Sequence, residues 1–172
     1  RGAFEYQGQK CSAASRCYIP ESIWPEVKEK YTALVKTLTM GDVNDFSNFV
    51  NAVIDENSFD NIVNYIEYSK NAQDAEIITG GTYDKSIGYF VDPTTIVTTN
   101  PKFRTMVEEI FGPVLTIYVY NDNWESICEL VDSTSEYSLT GAIFSNDEDI
   151  IEQGKKMLTH SAGNFYINDK PT

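Results

Sequence analysis

A cysteine between a cation and a run of small residues is the first candidate for chemistry in this sequence. Cys11 follows Lys10 and precedes Ser12 to Ala14. A thiol becomes a nucleophile when a nearby cation or a helix N-terminus favours the thiolate and a substrate can reach it. The small residues leave space beside the sulfur, and we expect them to continue as a helix whose N–H groups face an oxyanion. A buried structural cysteine is the alternative, and the local sequence leaves the two near even.

The second candidate is EEIFGPV, from Glu108 to Val114, which sets two carboxylates and an aromatic before a Gly-Pro break. The Gly-Pro pair ends a helix and directs the chain into the next strand. A carboxylate held there can accept hydrogen bonds from sugar hydroxyls, and Phe111 can pack against a flat ring. A plain helix end with solvated acids and one core aromatic is the alternative, which the residues alone favour.

Together the two stretches resemble the signatures of the aldehyde dehydrogenase superfamily. The segment Phe4 to Ser15, FEYQGQKCSAAS, is similar to its active-site cysteine segment, and EEIFGPV is similar to its cofactor motif. The separation of the two along the chain is also that of the family. The flanking runs GYFVDPTTIV, LVDSTSEYSLTGAIFS and AGNFYINDKPT resemble the branch that oxidises glutamate γ-semialdehyde, including its fungal members.

The resemblance implies a role for four residues. Cys11 would attack the aldehyde to form a thiohemiacetal, which gives hydride to NAD and leaves a thioester for water to hydrolyse; its backbone N–H would be one oxyanion donor. Ser12 would help to bind the substrate carboxylate, Glu109 a ribose of NAD, and Phe111 the nicotinamide side. Glu108 receives no catalytic role. The implied reaction belongs to proline breakdown, in a mitochondrial-matrix enzyme that is a homo-oligomer.

The sequence also departs from the family pattern. It has no GxGxxG-like phosphate loop, and Gly80-Gly81 fits a turn. In the family the deacylating base and a second oxyanion donor precede the cysteine, and a glycine follows NDKPT in the loop that anchors the substrate carboxylate. We therefore expect residues 1–172 to be the nucleophile-bearing catalytic domain of a longer enzyme, truncated, without its NAD-binding domain and without turnover by itself.

Three other functions compete with this interpretation. The chain can belong to an aldehyde dehydrogenase of different specificity, or it can act as a folded scaffold. A cysteine hydrolase or acyltransferase using Cys11 and His160 is the third, and it requires the two side chains within hydrogen-bond reach. Because His160 follows a predicted helix, we expect it to complement the helix dipole instead.

Composition excludes several classes of function. The 172 residues are 41% hydrophobic and 13% aromatic, as in a globular domain. A net charge of −13 argues against nucleic-acid and anionic-membrane partners. Three cysteines and one histidine cannot form a structural zinc site, so we expect no metal. Cys17 and Cys128 lie in apolar patterns and are predicted to be packing residues.

The elements that must position these residues alternate between helix and strand. Apolar periodicity and capping residues predict helices over Glu21–Leu38, Glu56–Asn71 and Lys102–Glu108, and after the caps Asn123 and Asn146. Strands are predicted in the two halves of EIITGGTYDKSIGYFVDPTTIV and over Val114–Tyr120, Leu139–Ser145 and Ala162–Asn168. Such alternation implies an α/β fold with a largely parallel sheet and helices on both faces.

Overall fold

A computed structural model describes residues 1–171, which form a mixed α/β fold. The helices are a 3₁₀ turn at Glu5–Gly8, α1 Trp24–Val35, α2 Glu56–Lys70, α3 Arg104–Val107, α4 Trp124–Thr134 and α5 Glu148–Met157. The strands are β1 Arg16–Pro20, β2 Ala75–Thr79, β3 Tyr83–Asp84, β4 Phe90–Val91, β5 Thr94–Thr98, β6 Val114–Tyr120, β7 Thr140–Ile143 and β8 Asn164–Ile167.

The central sheet has four strands in the order β1-β6-β5-β2. Strand β6 pairs in parallel with β1 and β5, whereas β2 runs antiparallel to β5. Strands β7 and β8 form a separate parallel pair. Strands β3 and β4, which follow β2 and precede β5 along the chain, form a short antiparallel pair. The predicted largely parallel sheet is therefore confirmed.

Helices cover both faces of this sheet, as alternate residues of β6 demonstrate. Val114 joins a cluster with Phe59 and Ile62 of α2. Leu115 and Ile117 point the other way and join the cluster that includes α1. Because successive side chains of a strand leave on opposite faces, the continuous apolar run of β6 is buried from both sides, as predicted.

A third cluster joins α4 and α5 to the β7–β8 pair. Cys128, Ile143 and Leu158 are its buried members. Cys17 belongs to the α1 side of the central sheet. Burial raises the pKa of Cys17 and of Cys128 to about 11, so both thiols stay protonated at neutral pH. The prediction that they are packing residues is confirmed.

Two local predictions are wrong. The residues after Cys11 form a turn closed by the Ala13 N–H on the Lys10 carbonyl (3.0 Å), not a helix, and the chain then enters β1, a strand that was not predicted. Pairing with β6 decides this conformation, because long-range strand pairing overrides weak local helix propensity. The cap of α5 is Asp147 and not Asn146, since the Asp147 carboxylate accepts from two N–H groups of the first turn.

The glycine pair Gly80-Gly81 connects β2 to β3 through left-handed backbone, with φ of 68° and 84°. Within residues 1–171, no helix combines the length and apolarity that crossing a bilayer requires. The same residues contain no group of three or more His, Cys, Asp or Glu side chains arranged to hold a metal ion.

Candidate active site

Cys11 is exposed in the turn between the 3₁₀ segment and β1. The backbone before it is left-handed at three consecutive residues, with φ of 53° at Tyr6, 58° at Gln7 and 64° at Gly8. A Cβ on Gly8 would lie 2.2 Å from the carbonyl oxygen of Gly112. The cysteine segment and the EEIFGPV loop, far apart in sequence, are therefore in direct backbone contact.

Two glutamines attach the cysteine segment to α2 and to the loop before it, and each uses both ends of its amide. Gln7 donates to the carbonyl of Ala52 (3.2 Å) and accepts from the N–H of Asn51 (3.2 Å). Gln9 donates to Ser58 Oγ (2.8 Å) and accepts from a backbone N–H of the same loop (3.0 Å). Sequence reasoning missed these residues, although two amides on either side of a glycine are a usable signal of a fixed turn.

Lys10 does not reach the thiol; it pairs with Glu5. Its Nζ lies 3.3 Å from Glu5 Oε2, and Arg1 and Lys170 each approach the same carboxylate at 3.8 Å. The hydrogen bond from Lys10 lowers the pKa of Glu5. The Glu5 carboxylate thus links the cation beside Cys11 to the first residue of the chain and to Lys170.

The backbone around Cys11 leaves a donor available. Among residues 1–171, no acceptor is bonded to the backbone N–H of Cys11. Ser12 is half-buried beside it, and its carbonyl accepts from Thr140 Oγ1 (3.3 Å) at the start of β7. An exposed sulfur next to an unused N–H is the arrangement that nucleophilic attack and oxyanion stabilisation require.

The EEIFGPV loop alternates between exposed and buried residues. Ile110 is buried, and Gly112 backs onto α2 so closely that a Cβ there would lie 2.5 Å from Ile62. Between them Phe111 adopts φ of 57° and stays 43% exposed. Left-handed backbone is uncommon for a bulky residue, and here it turns the ring outward. Phe111 is therefore not a core aromatic, contrary to the plain helix-end alternative.

The two acids of the loop have different environments. Glu108 accepts from Tyr65 Oη (2.7 Å) and from Arg104 Nε (3.1 Å). The Tyr65 hydrogen bond lowers the pKa of Glu108, and the Arg104 pairing acts in the same direction. Glu109 is exposed and, within the described chain, has no hydrogen bond or ion pair. A carboxylate without a protein partner can accept two hydroxyl groups of a ligand.

A cavity of about 610 Å³ borders both acids. Its walls are Tyr65, Val107, Glu108, Glu109 and residues 132–137. The unpaired carboxylate of Glu109 and the exposed ring of Phe111 suit one end of a dinucleotide, namely a ribose and a flat base.

The Cys11–His160 pair required by a hydrolase is not formed. Both residues are exposed, and in the part of the chain that the structure describes no hydrogen bond joins their side chains. His160 lies three residues beyond α5, near its C-terminal end as expected from the sequence. The geometry therefore lends no support to a cysteine–histidine hydrolase or acyltransferase.

Comparison with known proteins decides the family. The model of the aldehyde dehydrogenase family matches residues 1–172. The chain belongs to the aldehyde dehydrogenase family. It is similar over its full length to the mitochondrial Δ1-pyrroline-5-carboxylate dehydrogenases of Dictyostelium discoideum (58% identical) and Emericella nidulans (43%). It covers 31% of each, so it spans about a third of the length of these curated relatives.

Solved structures agree with the aldehyde dehydrogenase fold. The crystal structure of Δ1-pyrroline-5-carboxylate dehydrogenase from Mycobacterium tuberculosis bound with NAD superposes with a TM-score of 0.92 at 43% identity. The match covers 100% of this chain and 31% of that one.

Since the Emericella relative is less similar than the Dictyostelium one, identity does not favour a fungal origin.

Proposed function

We propose that residues 1–172 are the nucleophile-bearing catalytic domain of a longer NAD-dependent aldehyde dehydrogenase. Its substrate is L-glutamate γ-semialdehyde, formed from 1-pyrroline-5-carboxylate, and its product is L-glutamate. One observation carries the proposal: exposed Cys11 has an unused N–H and lies on a turn in backbone contact with the loop of Glu109 and Phe111. Full-length identity to relatives named for this reaction supports the choice of aldehyde.

The residues of this chain act mainly at the carbonyl carbon. The Cys11 thiolate adds to the aldehyde, forming a C–S bond and an oxyanion that the Cys11 N–H stabilises. When bound, NAD would supply the hydride acceptor: loss of hydride from the former aldehyde carbon as the oxyanion re-forms a carbonyl would leave a thioester on Cys11. Water then cleaves the C–S bond, returning the thiol and releasing the carboxylate. Ser12, adjacent to Cys11, donates to the distal carboxylate of the substrate.

Glu109 and Phe111 would hold one end of the cofactor. The Glu109 carboxylate accepts from ribose hydroxyls, and the Phe111 ring packs against the nicotinamide side. The remaining cofactor contacts, the deacylating base and a second oxyanion donor belong to other parts of the enzyme.

We further propose that the parent enzyme is a homo-oligomer of the mitochondrial matrix. The printed names of the Dictyostelium and Emericella relatives place those proteins in mitochondria. Leu139 and Phe144, which flank β7, are exposed apolar side chains available to such an interface. The net charge of −13 agrees with a small-molecule partner and not with nucleic acid or a membrane.

The test is steady-state turnover of the complete enzyme with NAD and a panel of aldehydes. Cys11→Ala should lower kcat by at least about a thousandfold, as the loss of a nucleophile does, whereas Cys17→Ala should retain activity because that thiol is a packing residue. Circular dichroism checks that both variants fold. Retained turnover in Cys11→Ala would exclude the nucleophile, and preference for an aldehyde without a carboxylate would exclude the proposed substrate.

A further inference from the structure

Four side chains meet where α3 leads into the EEIFGPV loop, and we name this group the Glu108 network. Tyr65 and Asn64 come from α2, Arg104 from α3, and Glu108 from the loop. Arg104 donates through Nε to both carboxylate oxygens of Glu108 (3.2 and 3.1 Å) and through a terminal nitrogen to Asn64 Oδ1 (3.1 Å). Its guanidinium also lies 4.4 Å from the centre of the Tyr65 ring. The network therefore holds Glu108 through two elements at once.

The position of Glu108 matters because Glu109 is the next residue in the chain. The loop is fixed at Glu108 by these contacts and again at Ile110 and Gly112 by burial against the core and α2. Glu109 is the residue between the two fixed points, and it makes no hydrogen bond of its own within residues 1–171. The neighbours consequently set the position of its backbone and the direction in which its side chain leaves the chain.

We propose that the Glu108 network positions Glu109 for the cofactor, and that Tyr65 is the residue on which this depends. The proposal rests on the function proposed above, in which Glu109 binds a ribose of NAD. A carboxylate carried by backbone that is already fixed in place loses less conformational freedom when the ligand arrives, so the affinity rises without any new contact. Tyr65 and Glu108 are positioning residues in this scheme, since neither is proposed to touch the reacting atoms.

A purely stabilising role accounts poorly for the network. The side chains of Arg104 and Glu108 are 35% and 46% exposed, and exposed ion pairs contribute little to folding. The 2.7 Å hydrogen bond from Tyr65 is of the stronger, charge-assisted kind, and it acts on the loop directly. We therefore expect its removal to affect the loop more than the global stability.

The chain offers a matched pair of variants. Tyr65 and Tyr68 both lie on α2, with their rings 4.4 and 5.5 Å from the Arg104 guanidinium. The Tyr68 hydroxyl has no hydrogen-bond partner in the described residues. Tyr65→Phe and Tyr68→Phe each remove one hydroxyl and keep the ring, so they differ in whether the bond to Glu108 is lost.

The experiment measures NAD binding to the complete enzyme by calorimetry, together with kcat and the KM values for NAD and aldehyde. Tyr65→Phe should weaken NAD binding and raise the KM for NAD on the order of three- to tenfold, the effect of one hydrogen bond to a charged group in a partly exposed site. The KM for aldehyde should stay within about twofold of wild type, because the thiol site is unchanged. Tyr68→Phe should leave all four quantities at wild-type values.

Glu109→Gln separates this inference from the function on which it rests. Weaker NAD binding in Glu109→Gln with unchanged binding in Tyr65→Phe would overturn the positioning role and leave the proposed function standing. No effect of Glu109→Gln would overturn both, since Glu109 would then not hold NAD. Equal losses of NAD affinity in Tyr65→Phe and Tyr68→Phe would indicate general disturbance of α2 and would also overturn the positioning role. A rise in the KM for aldehyde equal to the rise in the KM for NAD in Tyr65→Phe would do the same.

Discussion

Replacing Gly8 by alanine is predicted to separate the cysteine segment from the EEIFGPV loop. Gly8 has φ of 64°, a conformation that residues with a Cβ adopt only at a cost. The added Cβ would lie 2.2 Å from the Gly112 oxygen, 2.7 Å from the Gly112 carbonyl carbon and 2.9 Å from the Ala3 oxygen. All three are backbone atoms, so no side-chain rotation can relieve the overlap.

The expected loss of stability has two parts. Left-handed backbone costs an alanine about 1 kcal/mol, and forcing extra volume into a packed site costs about 2 kcal/mol more. A total of about 3 kcal/mol corresponds to a fall of about 10 °C in Tm for a chain of this length. Because the clash lies three residues before Cys11, the turn that carries the thiol must move as well.

Thermal unfolding and the rate of Cys11 alkylation by iodoacetamide together test this prediction. Gly2→Ala is the control, since a Cβ on Gly2 would meet Pro171 at an ordinary contact distance of 3.4 Å. We expect Gly2→Ala to melt like wild type, and Gly8→Ala to melt lower and to react at an altered rate. If the two variants melt at the same temperature, the backbone contact between Gly8 and Gly112 does not exist in solution.

Three further predictions concern α5 and the thiols. Asp147→Ala should destabilise the chain by about 1 kcal/mol through loss of the helix cap, and Asn146→Ala should be neutral; urea midpoints distinguish them, and the reverse order would contradict the assignment. At pH 8, iodoacetamide should modify Cys11 well before Cys17 and Cys128, whose pKa burial raises to about 11. Because the unfolded thiols lose their protons near pH 9.0, stability should fall between pH 9.0 and about 11. A flat urea midpoint over that range would contradict the raised values.

Elements with strong, self-contained patterns were predictable. The helix expected over Glu56–Asn71 is α2 at Glu56–Lys70, and the strand expected over Val114–Tyr120 has those bounds. In α2 the apolar residues recur with the helical period, and in β6 they form a continuous run that suits a strand buried on both faces, so burial agrees with local preference. Helix α2 also carries its own cap, since the side chain of Asp55 accepts from the N–H of Ser58.

Elements that depend on distant partners were not predictable in the same way. Strand β1, Arg16–Pro20, has no clean alternation, and its conformation comes from pairing with β6, where Arg16 lies opposite Thr116. The small residues after Cys11 favour a helix locally, yet the chain must enter β1 at once and turns instead. The adjacent acids Glu108 and Glu109 likewise look equivalent in sequence. Tyr65, from another helix, makes them different.

One face of α2 connects the two motifs that the sequence separates. Ser58 accepts from Gln9 of the cysteine segment, Ile62 packs against Gly112, and Tyr65 donates to Glu108. These three positions follow the i, i+4, i+7 spacing of a single helix face. A helix is rigid over two turns, so the thiol turn and the EEIFGPV loop are held at a fixed separation by the same element. Displacement of α2 should therefore disturb thiol reactivity and NAD affinity together, whereas loss of one contact, as in Tyr65→Phe, should disturb one of them.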